Sequence, residues 1–189
     1  MSAVANSSEH VLNGVEVQAV TAVIDAIEAA PPLAQSQYRL SNRWVIGGRS
    51  RSKITDFHAG GKTEKHRQEF TLDVDMPAPV GGTDLGPTPG EYLLNALVSC
   101  ITTTLVYHAA VRGIEIRSLR ASVTGDLDLQ GFLGLSEDVR RGFKDVRVNL
   151  VVDADEKDLK TLESIIPMSP MLDTVERGTR VNVSIAQRQ

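Results

Sequence analysis

The chain has one cysteine in 189 residues, so no disulfide can form within it and the fold must rest on its core. The start, MSAVANSSEHVLNG, lacks the basic, apolar and cleavage-site series of a secretory signal. Together these give a reducing, cytoplasmic setting as the expectation. Positive charge is in deficit: 20 Lys and Arg stand against 24 Asp and Glu, for a net charge of −4. The arginines are interspersed with acids, so no counterion-releasing surface is built and no nucleic-acid partner is expected. The longest apolar stretch is interrupted at residues 99–104 and at His108, short of the ~20 residues a membrane span requires. No membrane partner is expected either. Aromatic residues make up 4%, which leaves the core to Val, Leu, Ile and Ala. Repeats and low-complexity segments are absent.

What remains is ordinary globular material, 41% hydrophobic and long enough for one domain with an extension. Residues 1–37 read as a polar tail and an amphipathic helix. In NGVEVQAVTAVIDAIEAAPP, Asn13 stands as the cap with Glu16 three residues on, Val20, Val23, Ile24 and Ile27 form the apolar stripe, and Pro31–Pro32 end it. Residues 38–189 read as one α+β domain. Its first part, YRLSNRWVIGGRSRSKITDFHAGG and HRQEFTLDVDMP, predicts about three strands separated by glycine turns. After an irregular Gly–Pro loop, a helix runs from about Pro89 to Arg112 and stops at Gly113. Leu93, Leu94, Leu97, Val98, Ile101, Leu105 and Tyr107 cover most of its circumference, which predicts a buried central helix. Two long strands follow in IRSLRASVTGDLDLQG and FKDVRVNLVVDAD, then a helix capped by Asp155, a short helical turn in SPMLDTVERG, and a last strand in TRVNVSIAQ.

The one thiol, Cys100, lies well inside the central helix. On the residues alone it is either an inert filler of an apolar face or a nucleophile. A nucleophile must be a thiolate, and apolar surroundings oppose that form, so a nearby cation is required. His58, His66 and His108 have no metal-ligand spacing with the cysteine or with paired acids. His108 is eight residues beyond Cys100, about 12 Å along a helix, too far to pair with the thiol. No metal or cofactor is expected.

The stretch GGTDLGPTPGEYLLNALVSC, with its Gly–Pro loop, leucine-rich helix and cysteine in that order, resembles the OsmC/Ohr family of thiol-dependent hydroperoxide reductases. The resemblance runs from about Tyr38 to Ile185 and includes SPMLDTV before the last strand. It implies an OsmC-like fold in which strands flank the buried helix, in an intertwined homodimer. It implies further that Cys100 is the peroxidatic cysteine and that an arginine in an early Gly-Gly-Arg turn stabilises it. Arg49 in GGRSR stands at that place, with Arg51 as the competing candidate. A guanidinium is suited to this because its charge is permanent and its fork can hold peroxide oxygens. The family also has a glutamate that orients the arginine, directly after the proline that opens the helix. Here Gly90 has that place and Glu91 follows, a displacement of about 100° around a helix. Glu91 is therefore either the arginine's partner or an ordinary first-turn acid. The family's second, resolving cysteine corresponds to Ser169, before Pro170. Without it, a sulfenic acid on Cys100 needs an external thiol reductant.

Two functions stay open at this level. One is thiol-dependent reduction of organic hydroperoxides in oxidative-stress defence, through Cys100, Arg49 and Glu91. The other is a non-catalytic member that binds an apolar small molecule or senses redox state.

Overall fold

The computed structural model describes residues 11–187; the first ten residues of the expected tail lie outside them. The described chain falls into two compact units, one up to Leu94 and one from Asn95.

In the first unit, two short strands, β1 (Val11–Leu12) and β2 (Val15–Glu16), pair around Asn13 and Gly14. Both turn residues have positive φ, 54° and 78°, the two-residue turn that Asn-Gly favours. Asn13 is thus a turn residue and not the expected helix cap, because the left-handed backbone it adopts cannot lead into a helix. Helix α1 (Val17–Ala29) begins after Glu16 without a side-chain cap and ends before a 3₁₀ turn at Pro31–Ala34. None of its residues is fully buried. A run of antiparallel strands follows: β3 (Gln37–Tyr38), β4 (Ser41–Ile46), β5 (Arg49–Ala59) and β6 (Lys62–Val74). Strand β5 is central, with β6 on one side and β3 and β4 on the other. Arg51 stands opposite Arg43 on β4 and Asp73 on β6.

Helix α2 (Pro89–Val111) opens at the end of the first unit and runs through the second. In the second unit β7 (Ile116–Asp126) and β8 (Asp145–Ala154) form a long antiparallel pair, joined through a short helix α3 (Leu129–Phe132). Val146, Val148, Leu150 and Val152 alternate inward along β8 and pack on a core of Leu97, Ile101, Leu105, Ala109, Leu162 and Ile165, as period-2 patterning requires. Helices α4 (Leu159–Ile165) and α5 (Pro170–Arg177) complete this unit. Ser169 caps α5 by accepting from Leu172 N. Asp155 does not cap the segment after it; its carboxylate binds Arg117 Nη1 at 3.0 Å.

Two further expectations differ from the structure. The segment 178–187 pairs with no strand among the described residues, although Val181, Val183 and Ile185 alternate as in a strand. These three side chains are 74%, 85% and 99% exposed, so the pattern is present without a sheet edge beside it. Helix α2 is buried on one face only: Leu97, Ile101, Thr104, Leu105, Ala109 and Ala110 are buried, while Leu93 and Tyr107 are exposed. By length and composition α2 is apolar enough to cross a membrane, so the polar residues at 99–104 do not shorten it as the sequence predicts. Its buried face against β8 and α4 is the pattern of a core helix.

The loop into α2 is tightly fitted. A Cβ on Gly82 would lie 1.6 Å from the carbonyl oxygen of Met76, and one on Gly86 2.8 Å from that of Asp73. Gly82→Ala is expected to destabilise the protein by about 2–3 kcal/mol in denaturant titration, whereas Gly142→Ala, with only a side-chain atom at 3.7 Å, is expected to change it by under about 0.5 kcal/mol.

Candidate functional site

The loop from the end of β6 to the start of α2 is organised by a residue that sequence reasoning missed. Asp75 is 1% exposed. Its carboxylate accepts from the Thr83 hydroxyl at 2.5 Å, and from the backbone N–H groups of Met76, Leu85 and Thr83 at 2.8, 3.1 and 3.2 Å. The Thr83 hydroxyl, ahead of the backbone donors, holds the Asp75 carboxyl below its ordinary value against the opposing effect of burial. An aspartate at a strand end just before a Pro and Gly-Gly loop is the available signal.

Thr88 and Glu91 then start α2. Thr88 N donates to Glu91 Oε2 at 2.7 Å, the Thr88 hydroxyl donates to the same oxygen at 2.9 Å, and Glu91 N donates to Thr88 Oγ1 at 3.2 Å. This reciprocal arrangement is a capping box. The Thr88 backbone N–H and then its hydroxyl lower the Glu91 carboxyl from its usual range. Glu91 thus takes part in the start of α2, and within the single chain it forms no ion pair with Arg49 or Arg51 among the described residues.

Arg49 and Arg51 both lie on β5, not in a turn. Arg51 is the paired one: its Nε and Nη2 reach Asp73 Oδ1 and Oδ2 at 2.7 and 3.0 Å. The pair holds the Asp73 carboxyl low. Tyr92, in the first turns of α2, donates its hydroxyl to the Asp73 carbonyl at 2.9 Å. Arg49 is half-buried at the first position of β5; its side chain forms no hydrogen bond or ion pair among the described residues, although its charge helps to lower the Asp73 carboxyl.

Cys100 is a free, half-buried thiol on α2. It stands at the border between the buried face carrying Leu97, Ile101 and Thr104 and the exposed line of Ala96, Ser99 and Thr103. No hydrogen bond reaches its sulfur among the described residues. Two turns on, Arg112 Nη1 lies 2.9 Å from His108 Nδ1. Burial first, and the Arg112 charge second, lower the pKa of His108. Ser169 is fully buried. Among the described residues, no group of three or more His, Cys, Asp or Glu side chains is placed to hold a metal.

A long helix with one half-exposed thiol, preceded by a Gly–Pro loop and followed by a strand pair and two short helices, defines a class of α+β protein. A family model described as OsmC-like protein matches residues 82–184, more than half of the chain. The chain belongs to the OsmC-like family. Solved structures with a similar fold include an OsmC-like protein of Mycoplasma pneumoniae, 17% identical, with a TM-score of 0.55 over 79% of this chain and 96% of that one. A Psychrobacter arcticus protein, provisionally described as an osmotic stress induced and detoxification response protein, is 16% identical, with a TM-score of 0.56 over 76% of this chain and 92% of that one. The organic hydroperoxide resistance protein OsmC of Legionella pneumophila is 15% identical, with a TM-score of 0.50 over 73% and 89%. At these identities the likeness speaks for the fold. No curated protein matches the sequence.

Two outcomes follow from the loop. Thr88→Ala removes the cap and is expected to cost about 1 kcal/mol in thermal or chemical unfolding, while Glu91→Gln, which keeps an acceptor at that position, costs less than half as much. Because the Asp75 carboxyl is depressed in the folded state, its contribution is complete above the ordinary value of 3.8 and is lost as pH falls through the lower folded value. Acid unfolding of Asp75→Asn, followed by circular dichroism, should therefore start from lower stability at neutral pH and show a shallower fall below that value.

Proposed function

We propose that the protein is a one-cysteine hydroperoxide reductase. The observation that carries this reading is a free, half-exposed thiol on the long helix of an OsmC-like domain. The Cys100 thiolate attacks the outer oxygen of the O–O bond. The bond breaks to give a sulfenic acid on sulfur and an alkoxide that takes up a proton and leaves as the alcohol. An external thiol then displaces water from the sulfenic acid to form a mixed disulfide, and a second thiol releases Cys100. Arg49, half-buried and free of any ion pair among the described residues, is the cation assigned to the thiolate and the leaving oxygen. Glu91 serves by fixing the start of the helix. Without a thiol at Ser169, turnover depends on the external reductant, in a reducing, cytoplasmic setting.

The active form in this proposal is a homodimer. Support comes from apolar surface that the single chain leaves open: Leu93 and Tyr107 on α2, Trp44 and Ile46 on β4, and Val181, Val183 and Ile185 in the C-terminal segment. Each unit thus leaves apolar side chains that a second copy would cover. Sedimentation at micromolar concentration is expected to give the dimer mass, and a monomer independent of concentration contradicts this assignment.

A second reading draws on the second unit. Leu105, Val148, Leu150, Val152 and Leu162 line a largely aliphatic cleft of about 510 Å³ that also carries Glu163, within the range of small-molecule sites. Cys100 does not line it. A binding member of the family would use such a cleft without chemistry at the thiol.

Peroxide consumption decides between the two. With an organic hydroperoxide and excess dithiol, the protein is expected to turn over, and Cys100→Ser to lose at least about a hundredfold in rate. Ser169→Cys is expected to give a disulfide between Cys100 and the introduced thiol after one equivalent of peroxide, seen by mass spectrometry. No turnover by the unaltered protein with any hydroperoxide leaves the binding reading as the better account.

A further inference from the structure

One face of the first-unit sheet carries more positive charge than it neutralises. Arg43 and Arg51 stand directly opposite each other across β4 and β5, where side chains are about 5 Å apart at Cβ and like charges are unfavourable. Arg49 is two residues before Arg51 on the same strand and so points to the same face. A single carboxylate, Asp73, sits opposite Arg51 on β6. It takes one edge of that guanidinium, through Nε and Nη2. The other acid on this face, Glu69, is occupied by Lys53 at 2.7 Å. Three arginines therefore share one carboxylate, and the side chains of Arg43 and Arg49 form no ion pair or hydrogen bond among the described residues.

The chemistry left over is specific. Arg51 retains both N–H groups of Nη1 and one of Nη2 after binding Asp73, and these donors are held in place by the bidentate pair. Arg43, exposed and one strand away, can bring its own fork to the same point. Two planar forks at a cross-strand spacing match an oxyanion, whose negative charge would also relieve the Arg43–Arg51 repulsion. A solvated basic face would leave its arginines mobile, whereas here one of the two is fixed and aimed by Asp73, itself tied through its carbonyl to Tyr92.

We propose that Arg43 and the free edge of the Arg51 guanidinium bind one small oxyanion, a carboxylate or a phosphate, on this face of β4 and β5, with the charge of Arg49 strengthening the field. The site lies within the first unit and does not rest on the hydroperoxide reading.

The test is titration of the full chain with inorganic phosphate, acetate and octanoate at constant ionic strength, followed by nuclear magnetic resonance of the backbone and arginine Nε–H groups. Saturable shifts are expected at Arg43 and Arg51. Arg43→Ala should weaken binding at least about tenfold, the value of one lost charge-assisted contact, and Arg43→Lys, which keeps the charge without the fork, by an intermediate factor. Lys65→Ala, at a basic position on the far part of β6, should leave binding unchanged. Asp73→Asn, whose remaining side-chain oxygen can still accept from Arg51 Nε and keep the guanidinium aimed, should tighten it several-fold, because it removes the competing negative charge. Octanoate binding more tightly than acetate, with the same dependence on Arg43, identifies the anion as part of an organic ligand; equal affinities identify a free small anion. Shifts that do not saturate, or affinity unchanged in Arg43→Ala, overturn the proposal even if Asp73→Asn fails to fold.

Discussion

The carboxylate of Asp75 is the interaction on which the loop between β6 and α2 depends. It is buried at the end of β6, where an uncompensated charge would be costly. Four donors from Met76, Thr83 and Leu85 close around it, and in doing so fold the chain back on itself. That return is possible only because Gly82 and Gly86 let backbone lie against backbone. The loop then delivers Thr88 at the point where it can cap α2 with Glu91. The helix that this cap opens, Pro89–Val111, is the one that carries Cys100.

Charge on the neighbouring sheet is arranged with the same economy of partners. Asp73 anchors Arg51 by its side chain and receives Tyr92 by its carbonyl, so one residue ties the strand that carries the arginines to the first turns of the helix that carries the thiol. Arg49 is left without a partner of its own among the described residues. An arginine that already has its carboxylate has part of its donor set committed, while a free one keeps its whole fork for a ligand or a developing charge. This difference is the physical reason to give Arg49 and Arg51 separate roles.

Elements whose stability is local were legible in the sequence. The 23 residues of α2, the alternation along β8, and the Ser169–Pro170 start of α5 follow from periodicity and capping chemistry, and the family was readable from the Gly–Pro loop through Cys100. Failures came where a local signal had two physical uses. Asn13 can cap a helix or form a tight turn, and Gly14 after it favours the turn. Val181, Val183 and Ile185 carry strand alternation, but a strand exists only where an edge accepts its hydrogen bonds. The apolar circumference of α2 records that several surfaces must cover it and does not say whether one chain supplies them. The Arg51–Asp73 pair depends on a cross-strand register spanning 22 residues, and the four donors to Asp75 come from a loop whose path no periodicity encodes.

The most direct measurement is chemical trapping of the cysteine after a single equivalent of an organic hydroperoxide, with dimedone as the sulfenic-acid probe and peptide mass spectrometry as the readout. The account predicts stoichiometric dimedone addition at Cys100, in step with formation of the corresponding alcohol and blocked by prior alkylation of the thiol. Hydroperoxide left intact, with Cys100 unmodified and still open to alkylation, would contradict it.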